Sequence, residues 1–304
     1  MTHESIRIGV DLGGTKIEAV ALDRAGDILA RRRAPTPAHD YEGILRSVCV
    51  LVHEIELETN RRATVGVGTP GALSARSGVL KNANTTALNG KPFDRDLAAM
   101  LGREVRLEND ANCFALSEAR DGAGAGARVV FGVILGTGFG GGIVIDGKIL
   151  SGRNHVAGEW GHNPLPFMTA EEYPGATCYC GRCGCIETFL AGAGLVRDYR
   201  QRSGRVATAQ EIVGRAVEAR ETEARASLAA LQERLARALA HVVNLLDPDV
   251  IVLGGGLSNI DAIYDGLESM VEARAFTDAL DTKIRRNIHG DSSGVRGAAW
   301  LWGE

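Results

Sequence analysis

The chain has 304 residues, 45% of them hydrophobic and 24% charged, a globular balance too long for one ordinary core and suited to two domains. A net charge of −4 with scattered Lys and Arg excludes the basic footprint of a nucleic-acid binder, and no apolar run approaches the roughly 20 residues of a membrane span. Met1-Thr2-His3-Glu4-Ser5 carries no signal-peptide pattern, so a cytoplasmic location is expected.

In chain order, Ile6 to Asp11 reads as a β-rich run, Gly13-Gly14-Thr15 as a turn, and Ile17 to Leu22 as the returning strand, with Asp27-Ile28-Leu29 opening a third. A turn of two glycines and a threonine offers backbone N–H groups and a hydroxyl to phosphate oxygens. Lys16 closes that turn, and Asp11 at the strand end suits Mg2+. This is not a Walker A loop, because the G-x-x-x-x-G-K-[ST] spacing is absent and a strand follows. The densest cationic run, Arg31-Arg32-Arg33, reads as a solvated strand end and not as a binding patch. Tyr41 to Glu58 has helical periodicity, and Thr64 to Gly68 is a short strand ending in Thr69-Pro70-Gly71. Leu107 to Asn112 ends a strand and begins a helix running through Ala119. Asp110 at that junction has two readings, a helix N-cap or a base for an attacking hydroxyl.

From Val129 the opening pattern recurs. Val129 to Leu135 is β-rich, Gly136-Thr137-Gly138 turns, Gly142 to Ile145 returns, and Asp146-Gly147 signals a hairpin into Lys148-Ile149-Leu150. Gly136 to Gly141, with Gly138 and Gly140 inside it, formally matches G-x-G-x-x-G. A strand follows where a dinucleotide site needs a helix, so a second phosphate hairpin is expected instead. The repetition implies an α/β protein of two related lobes with a ligand between them. The division expected is a smaller lobe of residues 1–120 and a larger one of 121–290, with a C-terminal helix near 291–304 packing back on the first.

Glu159 and His162 lie three apart, on one helical face or around one turn, and suit sugar hydroxyls. Four of the six cysteines cluster downstream as Cys178, Cys180, Cys183 and Cys185, which in a cytosolic chain suggests metal before disulfides. A C-x-C-x4-C set with His162 makes a closed Cys3His site of the structural zinc type, with Cys183 a surplus thiol that leaves the choice of ligands open. Ser227 to Leu246 is an amphipathic core helix. Val250 to Leu253 is a buried strand whose Gly254-Gly255-Gly256 cap would let a nucleotide lie against the backbone.

Together these residues resemble the ROK (repressor, ORF, kinase) family of sugar kinases over nearly the whole chain. The resemblance is carried by Asp11-Leu12-Gly13-Gly14-Thr15-Lys16, Gly68-Thr69-Pro70-Gly71, Glu108-Asn109-Asp110-Ala111-Asn112, Gly158-Glu159-Trp160-Gly161-His162, the cysteine set with Glu187, and Gly254-Gly255-Gly256. Within the family, Lys81-Asn82-Ala83-Asn84 with Leu88-Asn89-Gly90, the Glu159-to-Pro166 segment, and His289-Gly290-Asp291-Ser292-Ser293-Gly294 look like bacterial manno(fructo)kinase.

The resemblance implies an actin-like ATPase (ribonuclease H-like) fold with its active-site cleft between the lobes, and a homodimer. It implies MgATP-dependent phosphorylation of a free hexose at the 6-hydroxyl. Fructose is the acceptor expected, with mannose accepted too. N-acetylglucosamine or glucose is the alternative, and a sugar-binding protein or a sugar-responsive repressor a remote one. A repressor would need an added helix-turn-helix, whereas the first phosphate strand starts at Ile6. The resemblance assigns Asp110 as catalytic base and Asn84, Asn109, Glu159, His162 and Glu187 as sugar contacts. ATP phosphates fall to the hairpins at Gly13 to Lys16 and Gly136 to Gly140, and structural Zn2+ to His162, Cys178, Cys180 and Cys185.

Overall fold

Isoleucine and valine alternating with glycine, as Ile8-Gly9-Val10 and Val65-Gly66-Val67-Gly68, give two strands one apolar face and one bare face. The computed structural model describes residues 6–303, so the reading of Met1–Ser5 lies outside the described residues. β1 (Arg7–Leu12), β2 (Lys16–Leu22) and β3 (Ile28–Pro35) form an antiparallel meander. After α1 (Tyr41–Thr59), β4 (Thr64–Thr69) pairs in parallel with β1. The small pair β5 (Ala72–Leu73) and β6 (Leu80–Lys81), and then α2 (Phe93–Leu101), lead to β7 (Val105–Asn109), which runs directly into α3 (Asp110–Asp121). The sheet order is β3-β2-β1-β4-β7.

The same order returns in the second sheet. β8 (Val129–Leu135), β9 (Phe139–Ile145) and β10 (Lys148–Ile149) repeat the three opening strands. A helical stretch follows: α4 (Ile186–Leu190), α5 (Gly192–Ser203), α6 (Ala209–Val217) and the long α7 (Thr222–Leu246). β11 (Val250–Gly254), α8 (Leu267–Glu272) and β12 (Lys283–Arg286) complete a sheet ordered β10-β9-β8-β11-β12. No helix of the described residues is long and apolar enough to cross a membrane.

The chain forms two compact units, one of Met1–Gly126, Gly142–Ala157 and Ile288–Glu304, the other of Ala127–Gly141 and Gly158–Asn287. Residues 142–157, which the sequence reading grouped with the second lobe, belong by contact with the first unit. So does the last helix, α9 (Ser293–Trp300).

Within the first unit the two faces of β1 and β4 are used differently. Ile8, Val10, Val65 and Val67 join Ile44, Val48, Val52 and Ile55 of α1 in one buried cluster. The glycine face takes α9 at backbone distance: a Cβ on Gly9 would stand 2.0 Å from the Val295 carbonyl oxygen, and one on Gly66 1.9 Å from that of Ala298. Gly297 does the same against α3, where a Cβ would meet the Cys113 carbonyl oxygen at 1.7 Å. The last helix is thus clamped between the central strands and the helix that starts at Asp110.

Candidate functional site

In the first unit, the β1–β2 hairpin closes with the Gly13 N–H donating to the Lys16 carbonyl at 3.0 Å, while the Thr36 hydroxyl holds the Gly13 carbonyl at 2.7 Å. Gly14, Thr15 and Lys16 are left exposed, available to an anion. Asp11 stands at the end of β1 beside Gly294 of α9. Burial, with the Asp110 and Glu18 carboxylates nearby, pushes the Asp11 carboxyl up to about 7 despite Lys16. Two carboxylates that oppose each other's ionisation make a place where a divalent cation is favoured.

The side chains of Arg31-Arg32-Arg33 are 36–50% exposed, and their charges also have protein partners. Glu18, only 2% exposed, accepts ion pairs from Arg31 at 3.3 Å, Arg33 at 2.9 Å and Lys16 at 3.5 Å. Arg32 points the other way, to Glu58 of α1 at 2.5 Å. The cationic run therefore neutralises a buried carboxylate two positions before Val20 on the neighbouring strand.

The β7–α3 junction bears on the capping reading of Asp110. Asn109, not Asp110, is the N-cap: its Oδ1 accepts from the N–H groups of Ala111 at 2.9 Å and Asn112 at 3.4 Å. Its Nδ2 donates to the Gly71 carbonyl at 3.1 Å, which uses one of the amide's two N–H donors. Asp110 becomes the first helical residue, its Oδ1 accepting from the Ala111 N–H at 2.8 Å. Asn84 is exposed, with Thr85 beside it 3.9 Å from where Gly14 would carry a Cβ. Asn89 pins this loop by accepting from the Ala83 N–H at 2.8 Å and donating to the Ala83 carbonyl at 2.9 Å.

In the second unit three glycine segments converge. The Gly136 N–H donates to the Gly138 carbonyl at 3.0 Å, leaving Thr137 and Gly138 exposed, and Gly140 follows in β9. A Cβ on Gly136 would lie 3.9 Å from the Gly256 nitrogen, and one on Gly255 only 2.5 Å from the Leu135 carbonyl oxygen. Gly254 ends β11 at the same place. The third segment went unread in the sequence: Gly192 at the start of α5 donates its N–H to the Gly136 carbonyl at 2.9 Å. Its signal was a Gly-x-Gly pair, Gly192 and Gly194, opening an amphipathic helix.

The other expected side chains of this unit gather around the cysteines. Glu159 and His162 bound a 3-10 turn, with the Glu159 carboxylate 3.8 Å from His162 Nε2. His162 Nε2 also meets the Tyr179 hydroxyl at 2.9 Å, a residue sequence reasoning passed over although it stands inside the cysteine run. His162 Nδ1 lies 3.5 Å from Cys178 Sγ, and Cys180 Sγ lies 3.6 Å from Cys185 Sγ. One His162 ring nitrogen and the three sulfur atoms all fall within 4.8 Å of one another, and a tetrahedral zinc site has ligand–ligand edges of about 3.7 Å. The donor set fits that ion. Cys183 stays outside the group, exposed and 3.7 Å from the Thr177 hydroxyl. Glu187, at the start of α4, reaches Cys178 Sγ at 3.5 Å. Burial pushes the Cys178 thiol up to about 12, so a cation is needed to hold it as thiolate at neutral pH.

The ROK family profile matches residues 7–304. The chain belongs to the ROK family. It is 43% identical over 297 residues to the N-acetyl-D-glucosamine kinase of Vibrio cholerae, covering 96% of this chain and 98% of that protein. It is 40% identical over the same shares to the N-acetyl-D-glucosamine kinase of Shigella boydii. Among solved structures, the ROK hexokinase of Thermus thermophilus superposes with a TM-score of 0.85 at 32% identity, covering 97% of this chain and 96% of that one. A ROK glucokinase of Streptomyces griseus, in complex with glucose and AMPPNP, gives 0.80 at 29% identity over 98% and 99%. The fold is the α/β, actin-like ATPase class expected. The manno(fructo)kinase likeness read from Lys81 to Asn84, Leu88 to Gly90, Glu159 to Pro166 and His289 to Gly294 finds no support in these relatives, which are named N-acetyl-D-glucosamine kinases.

Proposed function

We propose that this ROK-family protein is an ATP-dependent N-acetyl-D-glucosamine kinase, moving the γ-phosphoryl group of MgATP to the 6-hydroxyl of the free sugar. The observation that carries the reading is the identity of 40% to 43% with N-acetyl-D-glucosamine kinases over 96% of the chain. The glucose- and AMPPNP-bound relative supports a hexose and an adenine nucleotide as the two substrates.

Asp110 is the base in this reading. Asn109 is the N-cap and Asp110 the first helical residue, and in this reading the Asp110 carboxylate accepts the hydroxyl proton as the oxygen attacks. Asp11 with the exposed Gly14, Thr15 and Lys16 is the proposed place for magnesium and phosphate on the first unit, and the exposed Thr137 and Gly138 turn is the proposed phosphate contact of the second. Glu159, Glu187 and the Tyr179–His162 pair supply acceptors and donors for sugar hydroxyls. Zn2+ on His162, Cys178, Cys180 and Cys185 would brace those groups without an open coordination position, a structural role. The reaction belongs in the cytoplasm, where ATP is available, and a homodimer is the proposed assembly.

The test is a coupled ADP-release assay with MgATP against N-acetylglucosamine, glucose, mannose and fructose. Turnover highest on N-acetylglucosamine, and lost in Asp110→Asn, supports the reading. Preference for fructose would overturn the acceptor, and turnover on none of the four would overturn the kinase.

A further inference from the structure

We infer that Glu108 is a positioning residue that sets the attitude of Asp110, acting through the strand–helix junction it folds back upon. This rests on the reading of Asp110 as base. Glu108 is the last residue but one of β7, and its carboxylate collects donors from three separate places. Oε1 accepts from the N–H of the adjacent Asn109 at 2.9 Å and from Asn112 Nδ2 at 3.0 Å. Oε2 accepts from the Ser151 hydroxyl at 2.8 Å.

Each bond constrains a different degree of freedom. The Asn109 N–H bond closes a small ring across the peptide that precedes Asn109, fixing the direction in which the chain enters the helix. The Asn112 bond ties the same oxygen to the first helical turn. Asn112 is only 5% exposed, and its Oδ1 has no protein partner, so the acceptor that orients its amide is Glu108. Ser151 belongs to the 142–157 segment of the same unit and holds the second oxygen from outside the junction. An ionised carboxylate is the side chain that can accept from all three at once.

Asp110 follows Asn109 directly, so any rotation of this junction swings its carboxylate. A base displaced by about 1 Å loses on the order of a hundredfold in rate. Glu108 need not touch either substrate to matter. The length of its side chain, more than its charge, is what sets the ring. Asp keeps the charge and loses the reach; Gln keeps the reach and loses the charge.

The experiment is steady-state kinetics of Glu108→Asp, Glu108→Gln and Ser151→Ala beside wild type and Asp110→Asn, with MgATP and N-acetylglucosamine, and with melting temperatures recorded. Glu108→Asp is expected to lower kcat about tenfold with KM for both substrates within about twofold, and Glu108→Gln to stay within about threefold of wild-type kcat. Ser151→Ala is expected to lower kcat about threefold with unchanged KM, which serves if a Glu108 variant fails to fold. Wild-type kcat in both Glu108→Asp and Ser151→Ala, or Glu108→Gln falling below Glu108→Asp, overturns the inference. So does a KM that rises in step with the loss. An active Asp110→Asn removes the base reading on which it stands, whereas an inactive Asp110→Asn beside wild-type kcat in both Glu108→Asp and Ser151→Ala removes this inference alone.

Discussion

Gly297→Ala is the sharpest test of how the first unit is held together. The added Cβ would sit 1.7 Å from the Cys113 carbonyl oxygen, an atom of helix backbone that cannot turn aside. Ordinary contact needs about 3.4 Å, so α9 has to withdraw from α3 by roughly 1.5 Å, and the contacts of Gly9 and Gly66 loosen with it. Overpacking of this kind costs about 3 kcal/mol, the upper end of its usual range. For a chain this long that is a melting temperature lower by about 6 °C, read by calorimetry on the substrate-free protein. The N-terminus of α9 abuts Asp11 at Gly294, so turnover should fall as well, with the folded fraction accounted for. Gly214→Ala is the control: it lies in α6 with nothing within 4 Å of its added Cβ, and should raise stability by about 0.5–1 kcal/mol. A Gly297→Ala protein that melts within about 1 °C of wild type would refute the clamp.

Two further outcomes are expected. Purified protein should carry about one equivalent of zinc by mass spectrometry, lost in Cys185→Ser and kept in Cys183→Ser; retention in both would break the Cys3His assignment. The Asp11 carboxyl, pushed up to about 7 from 3.8, favours its protonated form in the fold, so its contribution to stability is full below pH 4 and is lost as pH rises through 7. Urea melts of substrate-free protein should therefore show a decline over that window, with a ceiling of about 4 kcal/mol, that Asp11→Asn removes; an unchanged slope in the variant would count against it.

Much of this was legible before any coordinates. Strands with period-two patterning and glycine turns between them announce themselves locally, which is why Ile17 to Leu22 and Val250 to Leu253 were read within a residue or two. What escaped depends on partners distant in sequence. Arg31 and Arg33 look solvated until β3 pairs with β2 and sets them opposite Val20 and Glu18. Asn109 and Asp110 are both good caps, and only the end of β7 decides which one precedes the helix. Gly9 and Gly66 read as ordinary strand residues, because their reason is a helix encoded at the other end of the chain. The acceptor sugar was read from short loop segments, and similarity over the whole chain favours the alternative, N-acetylglucosamine.

The placement of α9 also bears on how the chain is made. β1 emerges from the ribosome early, and the helix that covers its glycine face is encoded by Ser293–Trp300, with the entire second unit synthesised in between. The first sheet can pair its strands and dock α1 during translation, yet one face stays uncovered until Ser293–Trp300 is released. A nascent chain arrested anywhere between residues 126 and 288 would display that face, and would be the form of this protein most exposed to aggregation and to capture by chaperones.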